Sequence, residues 1–175
     1  MSGTGSAGLA FLLTLAVSAQ SAALRFDAPK DWVLQPSSSS MRVAQYTLAR
    51  AAGDAEDAEL IVYYFGGSGG AVDANLDRWL GQMEQPDGRP SKAVAKTTKL
   101  ATKGMAITVL DVSGRYVAEI APGAPTRYNK PGFRMKAAVV ETAQGPYFVK
   151  LTGPARTVER WGTAFDAFLK SARPQ

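Results

Sequence analysis

YYFGGSGGAVDANLDRW, residues 63–79, joins an apolar run to a helical pattern through four glycines and a serine. Strand, glycine-rich loop and helix is also the layout of nucleotide sites, in which backbone N–H groups cradle phosphate. The fold turns on this stretch. A phosphate loop would belong to a parallel, doubly wound sheet, whereas an ordinary connection leaves the sheet free to be antiparallel.

The spacing argues against phosphate. A Walker loop needs G-x-x-x-x-G-K-[ST], but Ala71 stands five residues after Gly66 and no lysine follows. A dinucleotide fingerprint started at Gly67 finds Gly69 and then Val72 where a third glycine is required. The glycines read instead as a connection that turns sharply through conformations with φ > 0. The helix after them is clear: Val72, Leu76, Trp79, Leu80 and Met83 form one stripe at a period of about 3.6. Asp73 or Asn75 is expected to cap it, and Pro86 to stop it.

Working outward, residues 24–28 and 32–33 read as short extended pieces around a turn at 29–31. Residues 42–48 alternate, with Val43, Gln45 and Thr47 on one side and Ala44, Tyr46 and Leu48 on the other. Residues 59–65 are apolar enough for a central strand. Strands are expected at 93–100, 106–116, 134–142 and 145–154, with Gly104 and residues 143–145 turning two hairpins. A second helix is expected from Pro154, its stripe made by Val158, Trp161, Phe165, Phe168, Leu169 and Ala172. Strands, an inserted helix, further strands and a closing helix make an α+β fold with a mainly antiparallel sheet of about six strands and two main amphipathic helices.

At 175 residues the chain has the length of one domain. It contains no cysteine and no histidine. These absences exclude a Ser-His-Asp triad, a Cys-His pair, ordinary zinc sites, and haem, iron–sulfur or blue-copper ligation. No metal or other cofactor is expected. Chemistry would have to come from carboxylates, lysines, tyrosines or hydroxyls.

Residues 1–23 carry no charged side chain, and 9–17 form an apolar run of signal-peptide length followed by small residues. Cleavage after Ala19 or Ala23 is expected, leaving 24–175 as a single domain. The run is shorter than the ~18 apolar residues of a spanning helix, so no stable membrane span is expected after signal removal. Export to a periplasm or the exterior follows. The net charge of +5 comes from 20 Lys+Arg against 15 Asp+Glu. The lysines of SKAVAKTTKLATKG, 91–104, are spread as on a solvated strand, so nucleic acid is not expected as a partner.

LRFDAPKDWV, 24–33, resembles the opening of PsbP-like domains, which begin with an F-x-x-P-x-x-W hairpin; the matching residues are Phe26, Pro29 and Trp32. The element order resembles that fold over residues 24–172. The strings 41–67 and 145–154 also resemble a group of exported bacterial proteins without an assigned activity. The resemblance implies an α/β/α sandwich and no catalysis. The superfamily includes an extrinsic subunit of the plant photosynthetic oxygen-evolving complex and a partner of the nuclear-transport GTPase, and both work by binding proteins. Metal-binding histidines of photosynthetic members have no counterpart here.

Two segments are candidate sites. GDAEDAE, 53–59, gathers Asp54, Glu56, Asp57 and Glu59, but lacks EF-hand spacing and reads as a solvated acidic turn. APGAPTRYNKPGFR, 121–134, is a long connection, and long connections are often functional. It carries Arg127, Tyr128, Lys130, Phe133 and Arg134, the candidate ligand- or partner-binding residues, with Lys130-Pro131-Gly132-Phe133 expected as a type II turn. The expected function is that of an exported, non-catalytic binding or accessory domain, with another envelope protein as partner. The alternative is a ligand-binding envelope enzyme working through carboxylates such as Asp111, Glu119 or Glu141.

Overall fold

The apolar runs rich in β-branched and aromatic residues pair into one broad sheet, and the two tryptophan-bearing stripes become helices laid on it. The computed structural model describes residues 24–174, so the expected signal segment 1–23 lies outside the described residues. In chain order the elements are β1 (Leu24–Arg25), β2 (Trp32–Leu34), β3 (Arg42–Leu48), β4 (Ala58–Tyr64), α1 (Val72–Leu80) and β5 (Met83–Glu84). After a 3-10 turn (Ser91–Ala93) come β6 (Lys96–Thr102), β7 (Met105–Tyr116), β8 (Lys130–Val140), β9 (Tyr147–Pro154), α2 (Ala155–Lys170) and β10 (Arg173–Pro174). The main sheet runs β2-β3-β4-β9-β8-β7, with β5 and β6 both paired to β7; β1 and β10 form a separate pair. Every pairing between these strands is antiparallel.

The helices cover opposite faces. Val158, Trp161, Phe165, Phe168 and Leu169 of α2 pack with Leu60, Val62, Ala138, Val140, Val149 and Leu151. Leu76 and Trp79 of α1 pack with Leu110, Val112, Met135, Ala137, Val139 and Phe148. Alternation along β8 feeds both cores, Met135, Ala137 and Val139 to one and Ala138 and Val140 to the other. Each large apolar side chain so enclosed contributes about 1.5–3 kcal/mol. The expected α+β sandwich is therefore present. Phe26 stacks on Phe168 at 4.6 Å and Trp32 lies 5.1 Å from the same ring, so the opening hairpin closes one end of the α2 core.

Several expectations are corrected. The main sheet has eight strands and not about six, because β2 and β5 are added at its margins. Met83 leaves the helix to pair with Tyr116. Helix α1 is capped at Ala71 with no side-chain acceptor; the Asn75 amide instead donates back to the carbonyls of Gly69 and Ala71. Pro154 is the cap of α2, not its first residue. The Lys130–Phe133 segment is not a turn but the start of β8. There Gly114 pairs with Phe133 and Tyr116 with Lys130, leaving Pro131 and Gly132 opposite Arg115. Gly132 at φ 70 and Pro131 without an N–H suit this bulge.

The glycine stretch is a packed connection. Gly66, Gly67 and Gly70 take positive φ, as expected. Gly69 is required by proximity: a Cβ there would lie 2.4 Å from the Phe148 ring.

The lengths of the helices decide what remains open. Nine residues of α1 span about 13 Å, against about 24 Å for the sixteen of α2. Helix α1 covers β7, β8 and one end of β9, and leaves the same face of β3, β4 and the rest of β9 without a helix.

Candidate functional site

The uncovered part of the α1 face is the floor of a groove of about 990 Å³. Alternation places the floor residues: Glu59, Ile61 and Tyr63 from β4 and Lys150 and Thr152 from β9 point away from the α2 core and line it. Arg42 enters at the irregular end of β3, opposite Tyr63. One wall is the end of α1 with Arg78 and Gln82, and the other is the connection after β7 with Ala118–Pro122, Arg127 and Tyr128. Met41 and Ile120 stand on the rim, 49% and 51% exposed.

Four of the five residues expected from the 121–134 segment come together here. Tyr116 stacks with Tyr128 at 5.4 Å and with Phe133 at 6.0 Å, and the Lys130 ammonium lies 5.4 Å from both the Tyr128 and Phe133 rings. Lys130 is ion-paired with Glu56. Arg127 reaches Glu119 at 3.5 Å across an isolated bridge between the two residues. Arg134 is not brought in. Its neighbour Phe133 faces the groove, so Arg134 faces α2, where it grips both carboxylate oxygens of Asp111 at 2.8 and 2.7 Å and pairs with Glu159.

The acidic turn is not simply solvated. Glu56 holds Lys130, Glu59 accepts from the Gln45 amide at 2.7 Å, Asp57 accepts from the Arg50 N–H at 3.0 Å, and Asp54 binds Thr157. Each carboxylate that lines the groove therefore has a donor.

The cations divide differently. Arg42 donates to Gln45 Oε1, Arg78 to Asn75 Oδ1, and neither joins an ion pair among the described residues. Lys150 donates to Gln82 Oε1 at 2.6 Å and to the Tyr116 hydroxyl at 3.0 Å, with its ammonium 5.0 Å from the Tyr116 ring. Burial lowers the Lys150 ammonium from 10.5 to about 8, partly opposed by Glu59. Burial also raises the hydroxyls of Tyr116 and Tyr63, with Tyr128, Tyr63 and Glu59 adding at Tyr116 and Arg42 opposing at Tyr63. Both tyrosines stay protonated at neutral pH.

No motif in the sequence marks Arg42, Tyr63, Arg78, Gln82, Tyr116 or Lys150, and Tyr63 reads there as an ordinary strand residue. One signal existed for Lys150: a lysine inside the apolar run YFVKLTG, where a charge needs a reason. A second, smaller cleft of about 530 Å³ lies between α1 and residues 84–92; of its charged residues Asp77, Glu84, Arg89 and Lys92, Asp77 and Lys92 pair with each other at 3.3 Å.

No protein-family model and no curated protein matches the chain. Among solved structures it is similar to PA94 from Pseudomonas aeruginosa, a protein of unknown function, with TM-score 0.48, 13% identity, and 85% of this chain and 88% of that one covered. It is similar to LpqN, involved in cell envelope biogenesis of Mycobacterium tuberculosis, with TM-score 0.49, 11% identity, and 87% and 83% covered. It is also similar to the cyanobacterial PsbP of Synechocystis, with TM-score 0.47, 10% identity, and 93% and 99% covered.

Proposed function

We propose that the protein is an exported, non-catalytic binding domain whose groove receives an anionic group of another envelope component. The observation that carries this reading is the charge pattern inside the groove. Its carboxylates already have donors, whereas among the described residues Arg42, Arg78 and Lys150 are hydrogen-bonded to neutral side chains alone. Cations held on neutral partners keep their charge available for a ligand, and the surrounding tyrosines and Phe133 supply flat apolar walls. The exposed Met41 and Ile120 on the rim fit a surface that is covered in use. Export rests on the uncharged, apolar stretch within residues 1–23.

The carboxylate-enzyme reading has one observation in its favour, the presence of Glu56, Asp57, Glu59 and Glu119 in the lining. Their engagement by Lys130, Arg50, Gln45 and Arg127 weighs against a free acid and base pair.

The test is an amide chemical-shift titration with galacturonate, inorganic phosphate and neutral galactose. Saturable shifts confined to the groove with an anion, absent with galactose and weakened in Arg42→Ala and Arg78→Ala, are expected. Shifts with galactose alone, or none at all, would overturn the reading.

A further inference from the structure

Lys150 is held differently from the ion-paired lysines of the fold. Lys92, Lys130 and Lys136 are each bound by a carboxylate, Asp77, Glu56 and Asp166. Lys150 lies in the interior strand β9, between Ile61 of β4 and Ala137 of β8, and among the described residues its amine hydrogen-bonds to Gln82 Oε1 and the Tyr116 hydroxyl. The charged and titratable groups that line the groove with it are Glu56 and Asp57 of the turn before β4, Glu59 and Tyr63 of β4, Arg42 of β3, Tyr116 of β7, Glu119, Arg127 and Tyr128 of the connection after β7, Lys130 of β8 and Arg78 of α1. Glu59 is the carboxylate that acts on it through space, and Glu59 is occupied by Gln45.

A lysine withdrawn from water without a carboxylate partner surrenders its proton readily, and the neutral amine is the nucleophile that forms imines with carbonyl compounds. We propose that Lys150 captures carbonyl compounds that carry an acidic group, as an imine on Nζ. This deepens, and rests on, the reading of the groove as an anion-binding site. The amine nitrogen attacks the carbonyl carbon, the oxygen collects the two amine protons and leaves as water, and a C=N bond remains. Nothing is oxidised or reduced. Tyr116, kept protonated by burial, donates a hydrogen bond to the departing oxygen, and Gln82 Oε1 orients the amine. The acidic group is selected by Arg42 and Arg78.

The experiment treats the purified protein with glyoxylate, or with neutral propionaldehyde, in the presence of cyanoborohydride, and locates adducts by peptide mass mapping. A parallel glyoxylate titration without reductant follows amide shifts. The expected result is a glyoxylate adduct on Lys150 formed on the order of tenfold faster than on any other lysine, because more of this amine is neutral. Its rate should rise with pH and level off above about 8. Tyr116→Phe should slow it, Lys150→Arg should abolish it, and propionaldehyde should label Lys150 more slowly. Groove shifts with glyoxylate but adducts only on exposed lysines such as Lys96 and Lys99 would overturn the imine while leaving the binding reading intact. Equal labelling of Lys150 by both aldehydes would overturn selection by the acidic group. Absence of both shifts and a Lys150 adduct would overturn the inference together with the reading it rests on.

Discussion

Asp54 accepts two hydrogen bonds from Thr157, 2.9 Å from its backbone N–H and 2.6 Å from its hydroxyl, across 103 residues of chain. Helix α2 begins after Pro154, which offers no side-chain cap, so the acidic turn before β4 supplies the acceptor from a distance. Thr157 is fully buried and its hydroxyl oxygen in turn accepts from the Ala51 N–H at 2.9 Å. One carboxylate thus ties the turn to the helix that closes the fold.

Asp54→Ala is therefore expected to cost about 1–2 kcal/mol, the usual scale of a lost helix cap. Urea unfolding checks this. Asp54→Asn should lose less, since an amide oxygen still accepts.

The glycines should separate by mechanism. A Cβ at Gly145 would lie 2.4 Å from the Gly67 Cα, and one at Gly69 would lie 2.4 Å from Phe148, whereas Gly66 has nothing within 4 Å. Gly69→Ala and Gly145→Ala should each lose about 1–3 kcal/mol or more by overpacking. Gly66→Ala should lose only about 1 kcal/mol, the cost of its left-handed backbone. Thermal or urea denaturation of the three variants tests the order.

Arg134 and Arg127 should behave in opposite ways. Arg134→Ala strips a two-pronged partner from Asp111 and is expected to lower stability by about 1–3 kcal/mol while leaving groove titrations unchanged. Arg127 is 55% exposed and its pair with Glu119 is long, so Arg127→Ala should change stability by less than about 0.5 kcal/mol. Its effect should appear in ligand affinity.

Lys150 gives a pH signature. The unfolded chain keeps this proton up to about 10.5, whereas the folded protein releases it near 8. Between those values the unfolded state binds more protons, so this group makes stability rise with pH; below about 8 its penalty is fully present. Lys150→Met is expected to be more stable than the native chain at pH 7 by on the order of 2 kcal/mol. That advantage should shrink as pH climbs from about 8 towards 10.5. Urea midpoints measured across that range would show it.

The amino-acid sequence alone determined what local physics controls. The aromatic stripes of α1 and α2, the alternation of β3, the turn at Gly104 and the absence of a phosphate loop are all set by spacing between near neighbours. Four residues that line the groove, Arg127, Tyr128, Lys130 and Phe133, drew notice for a similar reason, since cationic and aromatic residues crowd into one short segment. What only the tertiary structure decided depends on register across the sheet. Pro131 and Gly132 carry turn chemistry, yet pairing with β7 makes them a bulge, and that pairing sends Phe133 to the groove and Arg134 to α2. The groove exists because α1 is too short to cover the face it lies on, a comparison of lengths that no local pattern contains. Lys150 meets Gln82 and Tyr116 from 68 and 34 residues away. Its lowered proton affinity comes from that burial, and burial is a property of the assembled sheet.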